Sequence, residues 1–247
     1  MKEDELKNTF LDVFKVYTDS MNEVVSEKEP IAQSGKERLY FRVFSCARKE
    51  NNPLEKISLS TWEDVKMKNK DDANVLDLTQ AIVATVIPKD GVPLPICLIE
   101  ACFHLGKYVY CAADLAPLST DESYRNVFCK PVQELRKKHE ELPGLLPGVP
   151  DRRIESFTSG GMLRGEVDIK HQETVMEWLL DYVNLYLKFI RERESYSVLS
   201  SPSSIEEGRR RKTALCDAFK KTTAMALSGV PGLYSEELAQ KLGEMHF

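Results

Sequence analysis

One carboxylate interrupts the most apolar stretch of this 247-residue chain: Glu100, within LPICLIEACFH (94–104). Side chains of an extended segment alternate between faces, so Leu94, Ile96, Leu98, Glu100 and Cys102 share one side and Cys97, Ile99, Ala101 and Phe103 the other. A carboxyl set between Leu98 and Cys102 is poorly hydrated. Loss of hydration disfavours the charged form and raises the pKa, which would make Glu100 a proton donor near neutral pH. The plainer alternative is a strand carboxylate that faces water or pairs with a lysine. Arg164 closes a second extended pattern, where a guanidinium suits bidentate recognition of a carboxylate or is simply a solvated strand-end charge. The run Arg209-Arg210-Arg211-Lys212 opens a helical pattern at the end where the helix dipole disfavours cations. Something anionic has to compensate it: acid groups of a ligand, an acidic partner surface, or the neighbouring Glu206 and Glu207. Lys137, Lys138, Arg152 and Arg153 form another basic group able to steer an acidic partner. His104 is expected as a hydrogen-bonded turn residue, His139 and His171 as exposed, and Asp114 as the cap of the turn that follows it.

These groups need elements to hold them. Residues 78–118 read as three consecutive strands, Leu78–Pro88, Leu94–His104 and Lys107–Leu115. Their joints, Lys89-Asp90-Gly91 and Leu105-Gly106, are short enough for an antiparallel meander. Before them, Leu6, Phe10, Val13, Phe14, Tyr17 and Met21 recur at helical spacing over 3–25. Residues 38–48 and Glu55–Trp62 read as strands, and Lys66–Asp77 as a solvated connection. After the meander, Asp121–Leu142 is helical, with acids early and bases late. The Pro/Gly-rich 142–153 is irregular, and Ser156–Val167 is a strand in which Gly160-Gly161 marks a bulge or a close backbone approach. Lys170–Ser195, with Trp178 and Tyr182 on a wide apolar stripe, is the strongest helix. A Ser/Pro-rich loop (196–207) leads to helices over 208–227 and from Ser235, with a break at Gly229–Gly232. Residues 1–247 read as one domain, a sheet of about six strands with helices on its faces.

The net charge of −5 argues against a nucleic-acid interface, and no apolar run approaches the length of a membrane span. The amino end has neither signal-peptide nor transit-peptide character. Six cysteines without a CxxC pair predict reduced thiols and no metal or iron–sulfur site, with Cys97, Cys102 and Cys111 as small buried apolar groups. A soluble protein of the cytoplasm or plastid stroma, monomeric or weakly dimeric, is expected.

Six segments, in order and with compatible spacing, resemble the ferredoxin-dependent bilin reductases and the related red chlorophyll catabolite reductases. They are IVATVIP (82–88), GVPLPICLIEA (91–101), AADLAPLS (112–119), EELP (140–143), FTSGGMLRG (157–165) and RRRKTALCDAF (209–219). The resemblance implies an α+β chain folded as a three-layer α/β/α sandwich with a central antiparallel sheet. It also implies a linear tetrapyrrole between sheet and carboxy-terminal helices, electrons from reduced ferredoxin, and no bound cofactor.

Residue by residue, the resemblance makes Glu100 the catalytic acid, since the catabolite branch has such a Glu in the context Leu98-Ile99-Glu100. The Asp of the phycobilin-producing members falls at Leu98, on the same face. The His of a biliverdin-reducing branch falls at Val83, and that branch's earlier strand carboxylate near Ser60, so Leu98 and Val83 are expected in the substrate site. A family carboxylate before the basic helix has Glu207 as a nearby counterpart, and Asp181 in Trp178-Leu179-Leu180-Asp181 matches a late Asp of the catabolite branch. The implied catalytic set is Glu100, Glu207 and Asp181, with Arg164, Arg209 and Arg210 for the substrate's propionates. Two functions fit: a reductase of a biliverdin-type bilin or chlorophyll catabolite, or a non-catalytic tetrapyrrole carrier, chaperone or sensor that keeps the fold.

Overall fold

An antiparallel sheet divides the molecule into a back and a front layer. The computed structural model describes residues 3–26, 30–34, 36–46, 52–68, 75–104, 107–148, 152–228 and 235–246. The strands are β1 (Asn22–Val25), β2 (Ala32–Ser34), β3 (Glu37–Ser45), β4 (Leu54–Lys68), β5 (Val75–Pro88), β6 (Ile96–His104), β7 (Tyr108–Ala116) and β8 (Leu163–Asp168). Their order is β1-β3-β4-β5-β6-β7-β8, with β2 also paired to β3. The expected meander is β5–β6–β7. Its first turn closes through Val92 N–H donating to the Lys89 carbonyl (3.1 Å), with Gly91 at φ +84°. The Leu105-Gly106 joint lies outside the described residues.

Several expectations need correction. The helix over 3–25 ends early: α1 is Glu3–Thr18, and Asn22–Val25 pairs with β3 instead. Thr18 and Ser20 hydroxyls donate to the Lys15 and Tyr17 carbonyls, local bonds that compete with the helical ladder. The connection over 66–77 is largely strand, since β4 and β5 stay paired from Val65↔Leu78 to Lys68↔Val75. Its lysines and aspartates mask an alternation that includes Val65 and Met67; residues 69–74 lie outside the described set. Among the described residues the sheet accordingly has eight strands rather than about six, two of them short edge strands on β3.

The back layer is α1, α2 (Glu122–Lys138) and α4 (Gln172–Arg191), the last entered through a 3-10 turn at Ile169–His171. Phe14 meets Tyr186 (6.4 Å between ring centroids) and Phe128 meets Phe189 (5.0 Å), over the buried Cys97, Ile99, Ala101 and Phe103 of β6. Each such large side chain contributes roughly 1.5–3 kcal/mol by leaving water. Asp121 caps α2 by accepting from Ser123 N (2.8 Å). The front layer is α5 (Pro202–Ser228) and α6 (Glu236–His246), with the single turn α3 (Arg152–Glu155) at its edge. The loop expected over 196–207 is instead a 3-10 segment, Arg193–Leu199, followed by α5. Ser201 Oγ accepts from Ser204 N (3.2 Å) and Pro202 takes the first helical position, where its missing N–H is no loss. Among the described residues no helix is long and apolar enough to cross a membrane.

Candidate functional site: an acidic cleft on the front face

Strand register lines up one row across the front face: Phe41, Ser60, Val83, Glu100, Ala112 and Arg164. At the Phe41 end the row is covered, because Leu238, Ala239 and Leu242 of α6 pack on Leu39, Phe41, Val43 and Ala81. From Val83 onward a narrow cleft of about 70 Å³ lies between sheet and α5. Val83, Leu98, Glu100, Ala112 and Asp114 form its floor, Phe219 and Thr222 its roof, and Ile154 and Met162 one end.

Glu100 sits mid-floor, only partly exposed to the cleft. Burial pushes its pKa up, and the Cys102 thiol, donating to Oε1 at 3.7 Å, and the charge of Arg164 offset only part of that rise. The alternative of a carboxylate in bulk water or on a lysine does not hold. Arg164 is two strands along the row, roughly 9–10 Å by backbone spacing. It hydrogen-bonds the Tyr110 phenol, while its buried Nε has no hydrogen-bond partner. Cys102 packs against the apolar cluster under α6, as expected, and in addition donates to Glu100, whereas Cys97 and Cys111 are buried on the back side of their strands.

The sequence reading missed a second acid. Asp114, opposite Leu98 and hence diagonal to Glu100, is 1% exposed. It accepts from Ser159 N (3.0 Å) and from the Ser159 hydroxyl. Burial raises its pKa to about 6, with the two Ser159 bonds holding it below a still higher value. Its partner comes from the Gly160-Gly161 loop, held by Tyr182, whose hydroxyl donates to the Gly161 carbonyl (2.6 Å). The close backbone approach expected there is present: a Cβ on Gly161 would lie 2.6 Å from the Val132 backbone. A turn cap was the right chemistry for Asp114 but the wrong turn, since Ser159 is 45 residues away.

Other candidates lie elsewhere. Asp181 is on α4 in the back layer, with Oδ2 3.3 Å from His139 Nε2, so the sheet separates it from the cleft. His139 is buried and stacked on Trp178 (4.6 Å), contrary to the expectation of exposure. His104 is likewise buried and stacked on Tyr108 (4.4 Å); it is the bonded turn residue expected, its carbonyl accepting from Lys107 N (2.9 Å), while its ring Nδ1 has no hydrogen-bond partner. Glu207 accepts from Ser119 Oγ (2.8 Å) and from Thr120 N and Oγ1 (both 2.9 Å). Burial pulls its pKa up, but those bonds outweigh it and hold Glu207 charged, as an anchor for α5 and not a proton donor. Arg209 pairs with Asp90 (2.9 Å) and Arg210 donates to the Glu206 carbonyl (3.5 Å), both outside the cleft. The anions that compensate the basic run are therefore chiefly Asp90 and Glu55, which share Lys212 at 2.7 Å each. Arg211 donates to the Pro117 and Ser156 carbonyls (3.2 and 2.8 Å). Together these contacts pin the amino-terminal half of α5 as the cleft's front wall.

No protein-family model and no curated protein sequence matches the chain. Among solved structures it is similar to the crystal structure of phytochromobilin synthase from tomato in complex with biliverdin. The TM-score is 0.64 at 17% identity, over 98% of this chain and 81% of that one. The resemblance to ferredoxin-dependent bilin reductases read from the sequence is thus met in three dimensions: the chain has the fold of tomato phytochromobilin synthase, an antiparallel sheet sandwiched between two helical layers.

Proposed function

We propose that this chain reduces a linear tetrapyrrole of the biliverdin type with electrons delivered singly by reduced ferredoxin, and that Glu100 supplies a proton. The observation that carries the reading is the position of Glu100: a carboxyl whose pKa is pushed up, on the apolar floor of the cleft, in a fold shared with a solved structure named for a complex with biliverdin. Reducing one double bond takes two electrons and two protons. With the electrons coming from outside, the chain's task is to hold the pigment, exclude water and place acids. Glu100 is suited to give one proton and Asp114, titrating near neutrality, the other. Arg164, with an unpartnered Nε, and the exposed Arg152 and Arg153, which directly precede the cleft residue Ile154 in α3, are the cations suited to propionates. Arg209 and Arg210 have no part in this.

A carrier or sensor is the second reading, favoured by Leu98 and Val83 on the cleft floor, where the resembling enzymes hold ionisable groups. One experiment separates the two. Biliverdin is added to the protein, the visible spectrum recorded, and reduced ferredoxin then supplied anaerobically. A shifted band that bleaches or moves to the blue supports reduction. A shifted band that stays put supports the carrier, and no shift refutes both.

A further inference from the structure

The chain's own carboxy-terminal helix places a five-membered nitrogen ring on the same sheet face as the cleft. His246, in the last turn of α6, is 4% exposed. Its Nε2 lies 3.2 Å from Ser60 Oγ, and its Nδ1 lies 3.3 Å from Ser58 Oγ and 3.2 Å from Thr85 Oγ1. Its main-chain carbonyl accepts from Thr85 Oγ1 (2.9 Å), and Phe41 packs edge-on against the ring at 4.7 Å. Burial, reinforced by the Lys56 charge, keeps this imidazole neutral, with its pKa pushed down to about 3.

Three hydroxyls buried to 1% exposure or less are unusual in the middle of an apolar sheet. Ser58 and Thr85 bond each other and all three bond His246, so the sheet presents a polar niche shaped for a flat, neutral nitrogen heterocycle. The niche adjoins the cleft, because Ser60 pairs with Val83, the first uncovered residue of the row. A linear tetrapyrrole is a chain of four such rings and exceeds a drug-sized ligand. The cleft as it stands holds about 70 Å³, far below the roughly 300–1,000 Å³ usual even for ligands of drug size. The rest of this face is covered by α6, whose last turn fills the niche with His246.

We propose that the Ser58/Ser60/Thr85 niche is a subsite for an end ring of the pigment and that His246 is a built-in competitor for it. The identity of the displacing ring rests on the bilin reading above; the niche itself does not. His246→Gly vacates the ring position. Free imidazole at millimolar concentration should raise the melting temperature of this variant by several degrees and leave the unaltered protein where it was; no imidazole-specific shift would overturn the niche. The variant should also bind biliverdin several-fold more tightly, with imidazole reversing the gain, whereas equal or weaker affinity would overturn the competition. If His246→Gly does not fold, hydrogen exchange on the unaltered protein decides. Biliverdin should speed exchange in the last turn of α6 while slowing it in β6, and unchanged or slowed exchange in α6 refutes displacement. Imidazole stabilising the variant while biliverdin binds neither protein would leave the niche standing and remove both the competition and the bilin reading.

Discussion

At the scale of single residues, two carboxyls share one apolar floor and differ in what restrains them. Glu100 has a thiol and a distant guanidinium, Asp114 has two short-range donors from Ser159. For Asp114 the ordinary pKa of 3.8 becomes about 6 in the fold, so the native state holds its proton more tightly than the unfolded chain. Its contribution to stability is full below pH 3.8 and is lost as pH rises through 6, a change on the order of 3 kcal/mol. Asp114→Asn keeps an acceptor for Ser159 N–H and carries no charge. It should unfold in urea with about 1–3 kcal/mol more stability than the unaltered protein at pH 8 and with no such gain near pH 4. Parallel pH profiles for the two proteins would contradict the assigned burial cost. Glu207 illustrates the opposite case: an acid that resemblance nominates for catalysis but that three donors hold ionised.

At the scale of elements, the cleft exists because α5 is held off the sheet at one end and α6 is held onto it at the other. Glu207→Ala removes three hydrogen bonds from the 119–120 loop and should lower unfolding free energy by about 1–3 kcal/mol, whereas Arg210→Ala should stay within about 0.5 kcal/mol. Denaturant titration of both variants checks the contrast. Docking of α6 should be acid-sensitive. His246 titrates near 6.5 when free and near 3 when docked, so the stability it lends is complete above pH 6.5 and declines as pH falls from there toward 3. Of the groups around the ring, Ser58, Ser60, Thr85, Phe41 and Lys56, only Lys56 is charged, and it adds to the penalty. The loss should reach about 2 kcal/mol by pH 5 and be missing from His246→Gln, which melting curves at pH 7 and 5 would show. Much of this layer was legible in the sequence. The meander and α4 follow from local alternation and from an apolar stripe, and Gly160-Gly161 flags the close approach to α2. The partners of Asp114 and His246 were not legible, because Ser159 and Ser58 stand 45 and 188 residues away and nothing local marks either pairing. The β4–β5 extension was hidden for a different reason, since its charged residues read as solvated loop although strand pairing makes no demand on their polarity.

At the scale of the whole molecule, net charge is negative while Lys137, Lys138, Arg152 and Arg153 are exposed, the last two beside the end of the cleft. A local positive field of this kind steers an acidic partner and is screened by salt. If ferredoxin is the electron donor, as proposed above, reduction should slow steeply as ionic strength rises. An Arg152→Glu, Arg153→Glu variant should be slower at low salt and less salt-dependent, as stopped-flow rates would reveal; a flat profile for the unaltered protein would exclude steering. The architecture as a whole divides labour between layers: the back helices build the core, the front helices shape a cleft, and the sheet between them carries the acids. The account stands or falls on whether the buried acid in that cleft moves a proton to the pigment. A single-turnover experiment with Glu100→Gln, biliverdin and reduced ferredoxin tests this most directly. The account predicts an unchanged spectral shift on binding and a rate of pigment reduction lowered by about 10²–10⁴-fold. Reduction at the unaltered rate would contradict it.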